Sequence, residues 1–167
     1  LYFHLNLYRP IINQKEDKII CLDSIKELSH IKHHKEKIEL GGAVTIENFL
    51  EAIRSKMPEL IEILQRFGSP QIRNQGTIGG NLCTSSPIGD IAPILLVLNS
   101  DLKVFGRNGF KKINIKNFFK DYRKNILKKD EIISSLELPI ANKKNKIFSW
   151  KLSKPVSYTH LRAHETV

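Results

Sequence analysis

Apolar positions recur at different spacings along the chain, and each spacing predicts a different element. Residues 18–22, Lys-Ile-Ile-Cys-Leu, form a short apolar run that predicts a buried strand. Asp23 and Ser24 predict the cap of a helical turn reaching Leu28. Residues 37–40 alternate polar and apolar, a strand signal closed by Gly41-Gly42. Thr45 is a good N-cap, and Ile46, Phe49, Leu50 and Ile53 behind it predict an amphipathic helix over 46–57. Pro58 suits the first turn of a second helix, with Leu60, Ile61 and Leu64 inward and Gly68 as its stop. Asp90 is expected to cap an apolar helix over 91–98. Residues 102–105 and 110–115 predict a hairpin across Arg107-Asn108-Gly109. Residues 117–122 read as helix, and 131–138 and 146–153 as strands. Strands and helices mix without a strict βαβ repeat, so the fold class is α+β, or irregular α/β, with a mixed sheet and flanking helices.

Residues 69–90 break this pattern. They hold four glycines, two prolines and two asparagines, with hydroxyls at Thr77, Thr84, Ser85 and Ser86. They read as one long loop, and such loops inside compact domains are usually functional. Gly79-Gly80 permits positive φ and leaves no Cβ against a ligand. Successive N–H groups in such a turn make a concave anion site. Asn81 adds an amide, and Asp90 either caps its helix or accepts bonds from ribose hydroxyls. The inventory suits a phosphorylated, sugar-bearing ligand such as a dinucleotide, although a purely structural glycine turn has the same composition. No Gly-Lys-Ser/Thr follows, so this is not a Walker A loop, and the spacing is wrong for a Rossmann fingerprint.

Composition narrows the field. The 167 residues are 41% hydrophobic and 26% charged, which describes a globular chain and not a disordered one. Two cysteines, Cys21 and Cys83, exclude a four-thiolate zinc site or an iron–sulfur cluster held by this chain alone. The net charge of +10 lies wholly in residues 101–155, which hold 15 Lys/Arg against 5 Asp/Glu. That raises a basic nucleic-acid-binding module as an alternative. The excess is mostly Lys, single or paired, and Arg, the better phosphate and base reader, is scarce, so a solvated surface is favoured. No apolar run is long enough for a membrane span. His30, His33 and His34 lack the ligand spacing of a metal site. Leu1-Tyr2-Phe3-His4 reads as the interior of a protein without a leader, and the expected compartment is the cytoplasm.

One stretch, Gln71-Ile-Arg-Asn-Gln-Gly-Thr-Ile-Gly-Gly-Asn81 followed by Ser86-Pro-Ile-Gly-Asp90, resembles the FAD-binding domain of the molybdenum hydroxylases. Within that family it is most similar to the small subunit of bacterial xanthine dehydrogenases. Leu40-Gly-Gly-Ala-Val-Thr45, Asn117-Phe-Phe-Lys-Asp-Tyr-Arg123, Glu131-Ile-Ile-Ser-Ser-Leu-Glu-Leu-Pro139 and Trp150-Lys-Leu-Ser-Lys154 extend the resemblance in order over about residues 18–154. The resemblance implies a partial FAD domain. Phe67 would pack near the flavin ring, and Thr77, Gly79, Gly80 and Asn81 would form the second diphosphate loop. Thr84 and Asp90 would lie on the adenosine side, Ile133 would line the flavin pocket, and Lys151 would stabilise charge on reduced flavin. It implies no catalytic acid or base and no metal ligand on this chain. Electrons would come from a molybdenum cofactor and [2Fe–2S] clusters in partner domains and leave through FAD to NAD. Flavin subunits of aldehyde or carbon-monoxide dehydrogenases are the alternative within the family.

Two departures from the family set further expectations. The first FAD loop, a Gly-Gly-Thr-Asp-Leu type motif, is missing, so residues 1–40 are expected to be a remnant of the N-terminal subdomain and 41–154 the subdomain with the second loop. Each lost charge-assisted bond is worth roughly 1.5–3 kcal/mol, so the purified chain is expected to bind FAD weakly or not at all. Residues 155–167 match nothing in the family and are expected to be a non-native tail.

Overall fold

The computed structural model describes residue 22, residues 24–140 and residues 147–148. Residues 18–21 of the first expected strand, the cap Asp23 and most of the strand expected at 146–153 lie outside them, as does Lys151. The chain runs through β1 (Ile31–His33), β2 (Lys37–Gly41), α1 (Ile46–Ile53), α2 (Ile61–Gln65), α3 (Pro70–Gln75), α4 (Ile78–Thr84) and α5 (Ile91–Val97). It then forms β3 (Asp101–Gly106), β4 (Gly109–Asn114), β5 (Phe119–Asp121), β6 (Lys124–Asn125) and β7 (Ile132–Pro139).

Five of these strands form an antiparallel sheet in the order β1-β2-β7-β3-β4, and β5 and β6 form a separate small hairpin. The inward face is set by register. Ile38 pairs Leu138, Leu40 pairs Leu136, and Leu136 pairs Leu102, all buried. On β7 the register then slips at Ser134, so that Lys103 faces Ser135 but Val104 faces Ile133. This bulge reverses the strand's parity. It lets odd-numbered Ile133 share the inner face with even-numbered Leu136 and Leu138. Phe49, Leu50, Ile53, Leu64, Ile78, Leu82, Ile91 and Leu95 from α1, α2, α4 and α5 complete the core against that face. The result is a two-layer α+β fold.

The outer face is charged. Glu39, Glu137 and Asp101 lie side by side across β2, β7 and β3, an arrangement of like charges that costs energy unless relieved. Lys37 and Lys112 relieve it, each 2.8 Å from Glu137, and Lys112 also reaches Asp101 at 3.1 Å.

Several expectations change. The first helix ends at Ile53, not 57, because the residue before Pro58 is disfavoured in the helical region and Met57 sits at φ −141°. The second begins as a 3₁₀ turn over Pro58–Leu60 before α2. Residues 69–90 are not one loop, since they contain α3 and α4. The apolar helix after Asp90 forms, but Asp90 is itself helical (φ −80°, ψ −23°) and its side chain makes no cap bond. Residues 117–122 are not a helix: a 3₁₀ turn over Ile115–Asn117 leads into the β5–β6 hairpin, turned by Arg123 at φ +53°. In the β3–β4 hairpin the positive φ falls on Gly109 at +87°.

Candidate functional site

Thr45 and Thr77 form an isolated antiparallel bridge. Ile46 N–H donates to Gly76 O and Ile78 N–H donates to Val44 O, at 2.9 and 3.0 Å. The two residues are also N-caps: Thr45 accepts from Asn48 N–H and Thr77 from Gly80 N–H. Helices α1 and α4 therefore start from one shared pair of extended residues.

Gly42 ties this start to the sheet. It donates to Ser134 O on the β7 bulge at 2.9 Å and accepts from Gly79 N–H at 2.9 Å. A Cβ on Gly79 would lie 2.6 Å from Gly42 O, and one on Gly42 would lie 2.1 Å from Ile133 O. Among the described residues, positive φ in glycine occurs at Gly68 and Gly109, not at Gly79 or Gly80. The expectation of a left-handed turn at Gly79-Gly80 is thus corrected. Gly79 is bare because α4 packs its backbone onto Gly42. The N–H groups of Ile78, Gly79, Gly80 and Asn81 are all committed within the protein, so the concave anion nest expected there does not form.

What α4 offers is a side. Ile78, Gly79 and Leu82 face the core. Thr77, Gly80, Asn81 and Thr84 fall within about 100° of arc on the other side. Their hydrogen bonding leaves complementary capacity. Thr77 Oγ1 accepts from Gly80 N–H at 3.1 Å, so its own proton is available for an anion. Thr84 Oγ1 donates to Gly80 O at 2.9 Å, so it keeps lone pairs for a hydroxyl or amino donor. Asn81 presents both a donor and an acceptor. Its Oδ1 lies 3.6 Å from where a Cβ on Gly89 would stand, which brings the 86–90 turn, and Asp90 at its end, back toward this side. That turn is closed by Gly89 N–H donating to Ser86 O and Ile88 N–H to Ser86 Oγ.

Two sequence-motif residues turn out to brace the framework. Arg73 is 9% exposed, pairs with Glu47 on α1 at 2.6 Å, and donates to Gln65 O and Gly68 O. Ser85 turns inward at φ +50° and donates to Leu82 O. Sequence reasoning missed Asn125, which reaches Cys83 O and Ser85 Oγ from β6, both at 3.0 Å. Nothing local in the sequence announces a contact spanning forty residues. Burial pushes the Cys83 thiol up to about 11, so it is a protonated filler at neutral pH.

The structure thus gathers Thr77, Gly79, Gly80, Asn81 and Thr84 on α4, links Asp90 through the Gly89 turn, and sets Ile133 beside Gly42 and so beside Gly79. Phe67 lies past the end of α2, half-buried against the core. Among the described residues no cluster of His, Cys, Asp and Glu is placed to hold a metal ion, and no helix is long and apolar enough to cross a membrane. His30 and His34 both lean on Glu39.

Residues 7–141 match the family described as the FAD binding domain in molybdopterin dehydrogenase. The chain belongs to that family. It is 33% identical to xanthine dehydrogenase/oxidase of Gallus gallus over 137 residues, 75% of this chain and 10% of that protein. It is 33% identical to the nicotinate dehydrogenase FAD-subunit of Eubacterium barkeri, over 84% of this chain and 49% of that subunit. The fold is that of the Cu,Mo-CO dehydrogenase, with a TM-score of 0.68 at 21% identity over 72% of this chain and 43% of that one. Quinoline 2-oxidoreductase from Pseudomonas putida 86 gives the same figures. The chain spans half or less of the length of these relatives.

On the outward side of α4, Thr77 Oγ1 keeps a proton to donate, Thr84 Oγ1 keeps lone pairs to accept, and Asn81 offers both. That chemistry fits a diphosphate flanked by sugar hydroxyls.

Proposed function

We propose that this chain is the FAD-holding part of a molybdenum-containing hydroxylase of the xanthine dehydrogenase type. Bound FAD would supply the redox chemistry, accepting electrons from [2Fe–2S] clusters in a partner domain and passing them to NAD. The observation that carries the reading is the polar side of α4, with its hydroxyls already oriented by Gly80 N–H and Gly80 O.

The chain's own residues bind and orient. Thr77 and Asn81 donate to phosphate oxygens, and bare Gly80 lets them come close. Gly79 fixes where α4 starts by packing on Gly42. Thr84 and Asp90 take the adenosine side, Ile133 and Phe67 give apolar contact to the ring, and Lys151 balances its charge. None of these acts as an acid or base. The binding subdomain takes in β1 and β2 instead of starting at residue 41, because β2 pairs with β7 and buries Ile38 and Leu40 in the shared core; it runs to residue 154, and 155–167 lie outside the functional unit. The compartment is the cytoplasm, where NAD is available as acceptor. The partners are a molybdenum-binding large subunit and an iron–sulfur domain, not nucleic acid or membrane. Consistent with that, Lys37, Lys111, Lys112 and Lys124 are paired with carboxylates instead of forming an open basic field.

A second reading within the family is a flavin subunit of aldehyde or carbon-monoxide dehydrogenase type; that the flavin part of this family occurs as a separate subunit is seen in the nicotinate dehydrogenase FAD-subunit, matched over 84% of this chain. It differs in partner and not in the site.

Thermal unfolding with increasing FAD tests the reading. A ligand that binds only the folded chain stabilises it by RT ln(1 + [L]/Kd). Held by the polar side of α4 alone, FAD should bind weakly but measurably: the unfolding midpoint should climb only as FAD approaches the millimolar range, and Asn81→Ala should flatten the climb. A midpoint indifferent to millimolar FAD would count against the reading.

A further inference from the structure

Asn125 at the end of β6 uses its two amide groups differently: the oxygen closes a local turn, and the NH2 reaches outside its own hairpin. Both Nδ2 contacts go to the exit of α4: Cys83 O at 3.0 Å and Ser85 Oγ at 3.0 Å. Its Oδ1 accepts from Leu127 N–H at 3.0 Å, which fixes which way the amide faces. An α-helix ends with carbonyls that lack partners, and here one is supplied from another part of the chain. The residue it grips, Ser85, holds a left-handed backbone at φ +50°, which a non-glycine residue adopts only when its surroundings enforce it. Ser85 is 7% exposed and donates in turn to Leu82 O. Its backbone decides the direction in which residues 86–90 leave the helix, and so where Asp90 stands relative to Asn81 and Thr84.

We propose that Asn125 is a positioning residue that sets the adenosine half of the FAD site by locking the exit of α4. This rests on the FAD reading. The flavin half, around Ile133 and Gly42, is anchored separately by the β7 bulge, so the lock should govern one half of the ligand and not the other. A carboxylate at 125 would lose both donors and set an oxygen against Cys83 O, making Asn125→Asp a sharper probe than truncation.

The test uses the full ¹⁵N-labelled chain, wild type and Asn125→Asp, titrated with ADP and separately with FMN, with unfolding midpoints measured alongside. Asn125→Asp should move the amide signals of Thr84 to Asp90 before any ligand is added, while Ile38 and Leu136 keep theirs. It should weaken ADP by about tenfold, the value of one or two lost bonds, and FMN less than about twofold. Asn125→Ala should do the same more mildly. Equal weakening of ADP and FMN in step with the unfolding midpoint would reduce Asn125 to general stability and overturn the proposal, as would unmoved amides at 84–90. A wild-type chain indifferent to both ligands would instead contradict the FAD reading, and moved ligand-free amides would still support the lock.

Discussion

Glu137 on β7 lies between two lysines that approach from opposite sides, Lys37 on neighbouring β2 and Lys112 on β4, one strand beyond β3. Lys112 and Lys37 together hold its carboxyl down to about 2, well below the ordinary 4.5. A carboxylate lowered on folding adds stability that is fully present above its unfolded value, near 4.5, and is lost as pH falls toward 2. Glu137→Gln should therefore cost about 1 kcal/mol at neutral pH, discounted for the half-exposed lysines, and almost nothing at pH 2. Urea unfolding at the two pH values checks this. At Gly79 two effects oppose each other. Alanine gains about 1 kcal/mol of helix propensity, but its Cβ would stand 2.6 Å from the backbone oxygen of Gly42. No flexible side chain can yield there. Overpacking of 1–3 kcal/mol is expected to win, and Gly79→Ala should lower the unfolding midpoint.

At the scale of elements, α3 is held mainly by one side chain. Arg73→Met removes the partner of Glu47 and the donor to two carbonyls at the Gly68 turn. Losing the donor to two carbonyls and leaving the partly exposed Glu47 carboxylate unpaired should cost about 2 kcal/mol. Denaturant unfolding should show that loss, and Arg73→Met with Glu47→Leu should recover part of it. Elements with a strong period were legible in the sequence. The alternation in β2, the strand read over 131–138, the Thr45 cap with its i, i+3, i+4 apolar residues, and the β3–β4 hairpin all formed. Helices α3 and α4 were not read, although Ser69-Pro70 carries a cap followed by proline and Thr77 caps Ile78 and Leu82. The glycines masked them, because composition cannot tell a glycine that turns the chain from one that admits a neighbouring backbone. The β5–β6 hairpin was hidden for a related reason. Its turn uses a positive φ at Arg123, a residue type that does not announce one. The site was legible as an inventory but not as a mechanism. The N–H groups expected at Gly79-Gly80 are committed within the fold, whereas the hydroxyls of Thr77 and Thr84 and the amide of Asn81 are presented as a side-chain surface.

At the scale of the molecule, the opposed faces of one sheet divide the work. The inner face, through Gly42 and the bulge at Ser134, fixes where α4 begins, and the outer face carries the charge. Several lysines of the basic segment are neutralised by carboxylates of the sheet and its turns, at Lys111–Glu131, Lys112–Glu137 and Lys124–Asp121, and none of these pairs lies on α4, so charge is a poor guide to the site. The chain belongs to an FAD-binding family, and we propose that the polar side of α4 is what holds the cofactor. Titrating FAD into the ¹⁵N-labelled chain measures it residue by residue. The amides of Thr77, Gly80, Asn81, Thr84 and Asp90 should shift together along one saturable curve that Asn81→Ala weakens by about tenfold. Shifts confined to the lysine-rich outer face of β3 and β4, or unchanged by Asn81→Ala, would contradict it.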